Sequence, residues 1–88
     1  MKILFLILFP LFTYSQVTLD GSASTGQDLT YSWRQISGPQ TNILNSDSVK
    51  ARVDIILPGQ YFYELKIKDK NDRQSSDTVK VLALYLII

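Results

Sequence analysis

The feature that most constrains the fold is a strict alternation of side chains between residues 61 and 68. Every second residue is aromatic or aliphatic, and charged side chains occupy most of the positions between. A period of two is that of a β-strand with one face toward a core and the other toward water. This segment therefore predicts a strand whose inward residues are Tyr61, Tyr63, Leu65 and Ile67.

Shorter alternations of the same kind recur along the chain from Val17, and clusters of turn-forming residues separate them. No segment has helical periodicity. Short strands between such turns are typical of packed antiparallel sheets. The expected turns are 20–26, 37–39, 58–59 and 69–73. Besides the strand at 61–68 and a short piece at 42–44, four strands are expected. The residues that share one face in each are Val17 and Leu19; Tyr31, Trp33 and Gln35; Ala51, Val53, Ile55 and Leu57; and Val79, Val81 and Ala83.

The predicted fold class is therefore all-β, an antiparallel β-sandwich. Alternation places one side of each strand in the space between the two sheets. The aromatic residues of this set are interpreted as core rather than as a platform for stacking a ligand, and Tyr61 is a candidate tyrosine corner. The predicted core residues are Trp33, Tyr61, Tyr63, Leu65, Ile67, Val79 and Val81.

Composition excludes several classes of function. The 88 residues allow one small domain, and they contain neither cysteine nor histidine. Without histidine the commonest general base is missing, and a sandwich of this size has little volume for a substrate cleft. The net charge of +1 is interspersed along the chain, and there is no glycine-rich phosphate loop. We expect no enzyme activity, no nucleic acid or nucleotide partner and no cofactor.

The first 15 residues have the pattern of a secretory signal peptide. Lys2 precedes an apolar run of ten residues, 3–12, and Thr13-Tyr14-Ser15 resembles a signal peptidase site. A membrane-spanning helix needs about 20 apolar residues, so a stable span is the weaker reading. We expect residues 1–15 to be removed, with cleavage near Ser15, and residues 16–88 to be secreted or displayed at the cell surface. An uncleaved leader remains the alternative.

Three stretches in order carry a resemblance to a known family. They are residues 17–24 (VTLDGSAS), 31–39 (YSWRQISGP) and 59–69 (GQYFYELKIKD). Together they resemble the polycystic kidney disease (PKD) domain, and the stretch from Trp33 to Pro39 resembles its subtype with a tryptophan-x-glutamine and glycine-proline pair. The resemblance implies an immunoglobulin-like sandwich of extracellular proteins that serves as a spacer, adhesion or interaction module.

The chain departs from the family pattern at both ends. Family domains carry a further strand before the stretch that begins at Val17, and here the leader occupies that position. The module is therefore expected to lack its first edge strand, which would leave a sheet edge open to pairing with a partner strand. The apolar tail 85–88 extends the last strand. These departures at both ends favour a module that belongs to a longer protein, or a module whose sheet is completed by a partner strand.

Loop carboxylates are the candidates for a metal site. Some bacterial PKD domains hold calcium near the loop that carries Asp20 and Asp28, and Asp69 closes the strongest strand. Calcium takes six to eight oxygen ligands, usually from several carboxylates, and two carboxylates eight residues apart fall short of that. We interpret Asp20 and Asp69 as turn residues that accept backbone hydrogen bonds, and the calcium site stays as the weaker alternative.

The outward side of the predicted sheet with the strand 61–68 is the candidate binding surface. It mixes basic and apolar side chains, which suits a protein or a polysaccharide. Two functions remain: a spacer or adhesion module of a cell-surface protein, and a glycan- or protein-binding module that uses this face or an open sheet edge. The candidate residues are Arg34, Phe62, Glu64, Lys66, Lys68, Lys80 and Leu82.

Overall fold

The structure is a computed structural model that describes residues 15–83. These residues form two three-stranded antiparallel sheets. Turn-rich segments without helix join the strands. The strands are β1 (Ser15–Asp20), β2 (Thr30–Ser37), β3 (Ile43–Leu44), β4 (Lys50–Ile55), β5 (Gly59–Lys68) and β6 (Gln74–Ala83).

One sheet has the order β1-β4-β3 and the other the order β2-β5-β6. In the immunoglobulin fold these are the positions of strands B, E and D and of strands C, F and G. The predicted all-β sandwich is therefore confirmed. No strand in the position of strand A is found among residues 15–83, and the prediction about that strand concerns residues before Ser15, outside the described part.

The core lies between the two sheets, and alternate residues of five strands supply it. Val17 and Leu19 of β1 oppose Val53 and Ala51 of β4, and all four are buried. From the other sheet, the seven side chains predicted as core are all buried, each with 6% or less of its surface exposed: Trp33, Tyr61, Tyr63, Leu65, Ile67, Val79 and Val81.

One detail of the predicted strand 51–57 is wrong. β4 ends at Ile55, and Leu57, expected to point inward, is exposed. The backbone carbonyl of Leu57 accepts the hydroxyl proton of Tyr61, so the chain turns toward β5 before Leu57 can join the sheet. This connection has the form of a tyrosine corner.

Two further expectations lie largely outside the described residues. Of the predicted signal peptide, the described residues include only Ser15, which is the first residue of β1. The apolar tail 85–88 lies wholly outside the described residues. Within residues 15–83, no helix is long and apolar enough to cross a membrane.

Candidate binding face

The outward side of the β2-β5-β6 sheet brings the predicted binding residues together. Strand register places Arg34 of β2 beside Glu64 of β5, and Phe62 of β5 beside Lys80 of β6. One row further, Leu82 lies opposite Gln60. We call this surface the outward face: Arg34, Phe62, Glu64, Lys66, Lys68, Lys80 and Leu82.

An ion pair occupies the centre of the outward face. Nε of Arg34 donates a hydrogen bond of 2.7 Å to Oε1 of Glu64 across the strand pair. This bond, together with the positive charge of Arg34, lowers the pKa of the Glu64 carboxyl. The same bond and the negative charge of Glu64 raise the pKa of the Arg34 guanidinium. Both side chains reach solvent, so the pair holds Arg34 in place more than it stabilises the fold.

On the outward face, the aromatic ring of Phe62 lies next to the cation of Lys80. Nζ of Lys80 lies 6.0 Å from the ring centroid of Phe62, within the range of a cation–π contact. Phe62 and Leu82 are both half-buried. Each therefore keeps apolar surface exposed on a sheet face that otherwise carries charged side chains.

The charge of the outward face is positive. Glu64 pairs with Arg34, and Lys68 pairs with Asp72 at 3.3 Å. Among residues 15–83, neither Lys66 nor Lys80 makes an ion pair, so with both of these pairs counted positive charges outnumber negative ones on this face by two, although the charge of Lys66 also acts on the Glu64 carboxylate. The face therefore attracts anionic groups at short range.

The inward aromatic residues form no platform for a ligand, because they are buried and their polar atoms are used within the fold. Nε1 of Trp33 donates to the carbonyl of Ser48 at 3.0 Å, and the Trp33 backbone N–H donates to the carbonyl of Ser46. Burial raises the pKa of both Tyr61 and Tyr63 above that of an exposed phenol. These residues hold connecting segments against the core.

Gln35 is the polar member of this inward set, and it organises the loop after β2. Its amide nitrogen donates to the carbonyls of Ser37 and Pro39, at 3.0 and 2.8 Å. Its amide oxygen accepts both the backbone N–H and the hydroxyl of Thr41. The Thr41 hydroxyl lies 2.8 Å from that of Tyr63, and Tyr63 is the donor because Thr41 gives its proton to Gln35.

Gly38 completes this corner because no other residue fits there. Its φ is +102°, and a Cβ atom would lie 2.4 Å from the carbonyl oxygen of Gln60 and 3.0 Å from Cα of Tyr61. Such distances would force the loop away from β5. The sequence pattern Trp33-x-Gln35 followed by Gly38-Pro39 thus describes one packed corner of the sandwich.

The loop carboxylates hold turns. Oδ1 of Asp20 accepts the backbone N–H of Ser22, which lowers the pKa of Asp20. Oδ1 of Asp69 accepts the backbone N–H groups of Asn71 and Arg73, and its Oδ2 accepts Nε of Arg73. Asp28 lies in a bend at a φ of +53°. Within the described part of the chain, the three do not form a group of metal ligands.

Comparison with known proteins identifies the family. The K319L-like, PKD domain model matches residues 13–83, which is most of the chain. The chain is a K319L-like PKD domain. It is 37% identical over 68 residues to the mouse (Mus musculus) dyslexia-associated protein KIAA0319-like protein, and it spans only 6% of the length of that relative.

Solved structures agree with this fold. The PKD domain from KIAA 1837 protein, determined in solution, superposes with a TM-score of 0.76 and is 30% identical; the match covers 92% of this PKD domain and 79% of that chain. A nucleoside hydrolase-related hypothetical protein from Saccharophagus degradans, described as associated with carbohydrate metabolism, superposes with a TM-score of 0.69 at 24% identity, over 90% of this chain and 22% of that one. At that identity the likeness concerns the fold alone.

Proposed function

We propose that this PKD domain is a non-catalytic extracellular spacer or adhesion module, and that it contacts its partner through the outward face. Membership of the family supports the extracellular setting, as does the relative of 37% identity. The absence of histidine and cysteine from the sequence supports a function without catalysis. The roles of Gln35 and Gly38 in one corner support the subtype with the tryptophan-x-glutamine and glycine-proline pair.

The observation that carries the proposal is the composition of the outward face. Phe62 and Leu82 keep apolar surface exposed near the cation of Lys80, and Lys66 adds a positive charge further along β5 on the same face. An aromatic ring with neighbouring basic groups is a common centre of binding energy in interfaces. The positive charge favours anionic partners, either an acidic segment of a protein or an acidic polysaccharide. No metal is needed for this contact.

Export is part of the same proposal. The chain would be secreted after removal of residues 1–15, and N-terminal sequencing of the secreted product tests this. A product that begins at Gln16 is the expected result. A product that begins at Met1 would contradict it.

The binding test uses the full chain secreted from expressing cells. The purified product is applied to an array of acidic and neutral oligosaccharides and, separately, is cross-linked to proteins on the surface of intact cells. We expect one of these two arms to give binding that the double variant Phe62→Ala, Arg34→Ala weakens about tenfold or more.

The matched control removes a pair of exposed residues from the other sheet. Thr18 and Arg52 lie opposite each other on the outward side of β1 and β4, so Thr18→Ala with Arg52→Ala also deletes one arginine. This control should bind as the unchanged protein does. Equal loss in both double variants would contradict a role for the outward face, and no binding in either arm would leave the spacer function and exclude adhesion through this face.

A further inference from the structure

A carboxylate on the opposite side of the molecule has an oxygen without a partner. Asp54 lies near the end of β4, and its side chain is half-buried. Its Oδ1 is buried and has no hydrogen-bond partner among the described residues. Burying a carboxylate oxygen without a partner is costly, so such an atom calls for an explanation, and a bound group that completes it is one.

Asp54 lines a cleft between the end of β4 and the loop after β2. The cleft has two adjoining hollows of 390 and 220 Å³, and Gln40, Thr41, Asp54 and Ile56 border both. Asn42 closes the larger hollow, while Leu57 closes the smaller one. The cleft therefore combines one carboxylate, uncharged polar side chains and branched aliphatic side chains.

The aliphatic part of the cleft is unusually open to water. Ile56 and Leu57 are exposed by 63% and 57%, the largest values among the large apolar residues of the described part. They are neighbours in sequence and flank the same cleft as Asp54. Adjacent exposed aliphatic side chains form a contiguous apolar patch, which is the kind of surface that interaction sites use.

Both walls of the cleft are held by the core. Gln35 binds the carbonyl of Pro39 and both polar groups of Thr41, which fixes the wall on the side of the β2 loop. Tyr61 binds the carbonyl of Leu57, which fixes the opposite wall. Walls fixed in advance lower the entropy cost of binding. The corner described above therefore also builds this cleft.

We propose that the cleft binds a segment of another protein that presents a guanidinium or ammonium group next to a branched aliphatic side chain. The cation would pair with the Asp54 carboxylate, and the aliphatic group would pack on Ile56 and Leu57. Charge complementarity selects a basic group, because Asp54 is the only acidic or basic side chain among the described residues that line the two hollows. The proposal is independent of the outward face, which belongs to the other sheet.

A protein segment fits better than a sugar for a reason of composition. Sugar rings commonly pack on exposed aromatic faces, and the only aromatic residue that lines the cleft, Tyr61, is buried. The exposed groups are aliphatic instead. An aliphatic side chain gains most from such a surface, since the apolar area removed from water is then largest.

The first test uses the whole secreted product, labelled with nitrogen-15. It is titrated with three short blocked peptides, and its backbone amide signals are followed by NMR. Acetyl-Leu-Arg-Leu-amide and acetyl-Leu-Lys-Leu-amide carry the proposed groups, and acetyl-Leu-citrulline-Leu-amide has the shape of the first without its charge. We expect the two basic peptides to shift the amide signals of Gln40, Thr41, Asp54 and Ile56, with affinity at least about tenfold above that of the citrulline peptide. Equal shifts with the citrulline peptide, or shifts confined to other residues, would overturn the proposal.

The second test removes the charge of Asp54. Asp54→Asn should abolish the preference for basic peptides and should leave the midpoint of thermal unfolding unchanged or higher, because the unpartnered charge is gone. Asp47→Asn, at an exposed loop position, is the matched control and should keep the preference. A lower midpoint for Asp54→Asn would assign the carboxylate to the fold instead. Shifts of the same amides by sialyllactose or cellobiose but not by the basic peptides would replace the protein partner with a glycan.

Discussion

The two faces of the β2-β5-β6 sheet use aromatic residues from adjacent positions in different ways. Tyr61 and Tyr63 point inward and are buried, whereas Phe62 between them lies on the outward face and is half-buried. The hydroxyl of Tyr61 reaches the backbone carbonyl of Leu57, two residues after β4 ends, and that of Tyr63 reaches Thr41 in the loop after β2. The ring of Phe62, which has no polar atom, contacts the cation of Lys80 instead.

Within β5, the inward side chains are therefore expected to contribute to stability, and the outward ones to binding. Each inward aromatic residue ties a second segment of the chain to the core, so its loss should cost both packing and a hydrogen bond. The outward residues interact mostly with one another, as Arg34 does with Glu64. Their removal should therefore change the surface while the sandwich stays folded.

The largest expected effect contrasts two neighbours. Tyr63→Ala should lower the free energy of unfolding by about 3 to 5 kcal/mol, because it leaves a cavity between the sheets. Phe62→Ala should lower it by about 1 kcal/mol or less, since part of that side chain already meets solvent and its loss leaves no closed cavity between the sheets. Urea unfolding followed by the fluorescence of Trp33 measures both values.

The same experiment has an internal check. Tyr63→Phe keeps the ring and loses only the hydrogen bond to Thr41, so it should lie between the two alanine variants, at about 1 kcal/mol. Similar losses for Tyr63→Ala and Phe62→Ala would mean that the outward ring supports the core as much as the inward one does.

A smaller loss in the free energy of unfolding is expected at Gln35, the polar side chain on the inward side of β2. Gln35→Ala removes the amide that holds Pro39 and Thr41, and it should cost about 1 to 3 kcal/mol in urea unfolding. Gln60→Ala, at an exposed position on β5, is the control and should change the free energy of unfolding by less than about 0.5 kcal/mol. A loss of the same size in both variants would show that the Gln35 network adds nothing beyond an ordinary strand residue.

Much of this arrangement could be predicted from side-chain alternation. The period of two between residues 61 and 68 is sufficient to identify which side chains face the core, because a strand offers only two sides. The same alternation assembles the outward face, since register places Arg34 beside Glu64 and Phe62 beside Lys80. Strand existence and the direction of side chains are local properties, which a single sequence carries.

The corner and the cleft could not be predicted in this way. Leu57 continues the alternation of β4, but a hydrogen bond from Tyr61, four residues later, takes its carbonyl out of the sheet. Gln35 was expected on the inward side, but its four hydrogen bonds depend on where the following loop turns back. The cleft beside Asp54 likewise depends on where the loop after β2 lies. Such contacts are set by tertiary structure.

The smallest expected effect concerns pH and the turn between β5 and β6. Burial acts to raise the pKa of Asp69, but the backbone N–H groups of Arg73 and Asn71 and the Arg73 guanidinium outweigh it, so the folded pKa lies below the ordinary value of 3.8. The ionised form is therefore favoured in the folded state. Its contribution to stability is fully present above the unfolded pKa and is lost as the pH falls through the folded pKa.

Thermal unfolding between pH 6 and pH 2 tests this assignment. The unchanged protein should lose stability on the acid side of about pH 4, and Asp69→Asn should show a smaller fall because one depressed carboxylate is gone. Asp47→Asn removes a carboxylate that makes none of the hydrogen bonds found at Asp69. The stability of this variant should therefore fall with pH as that of the unchanged protein does. Since Asp20 and Glu64 also have lowered pKa values, some acid dependence should remain in Asp69→Asn. An identical fall in Asp69→Asn and the unchanged protein would mean that this turn does not depend on the charge of Asp69.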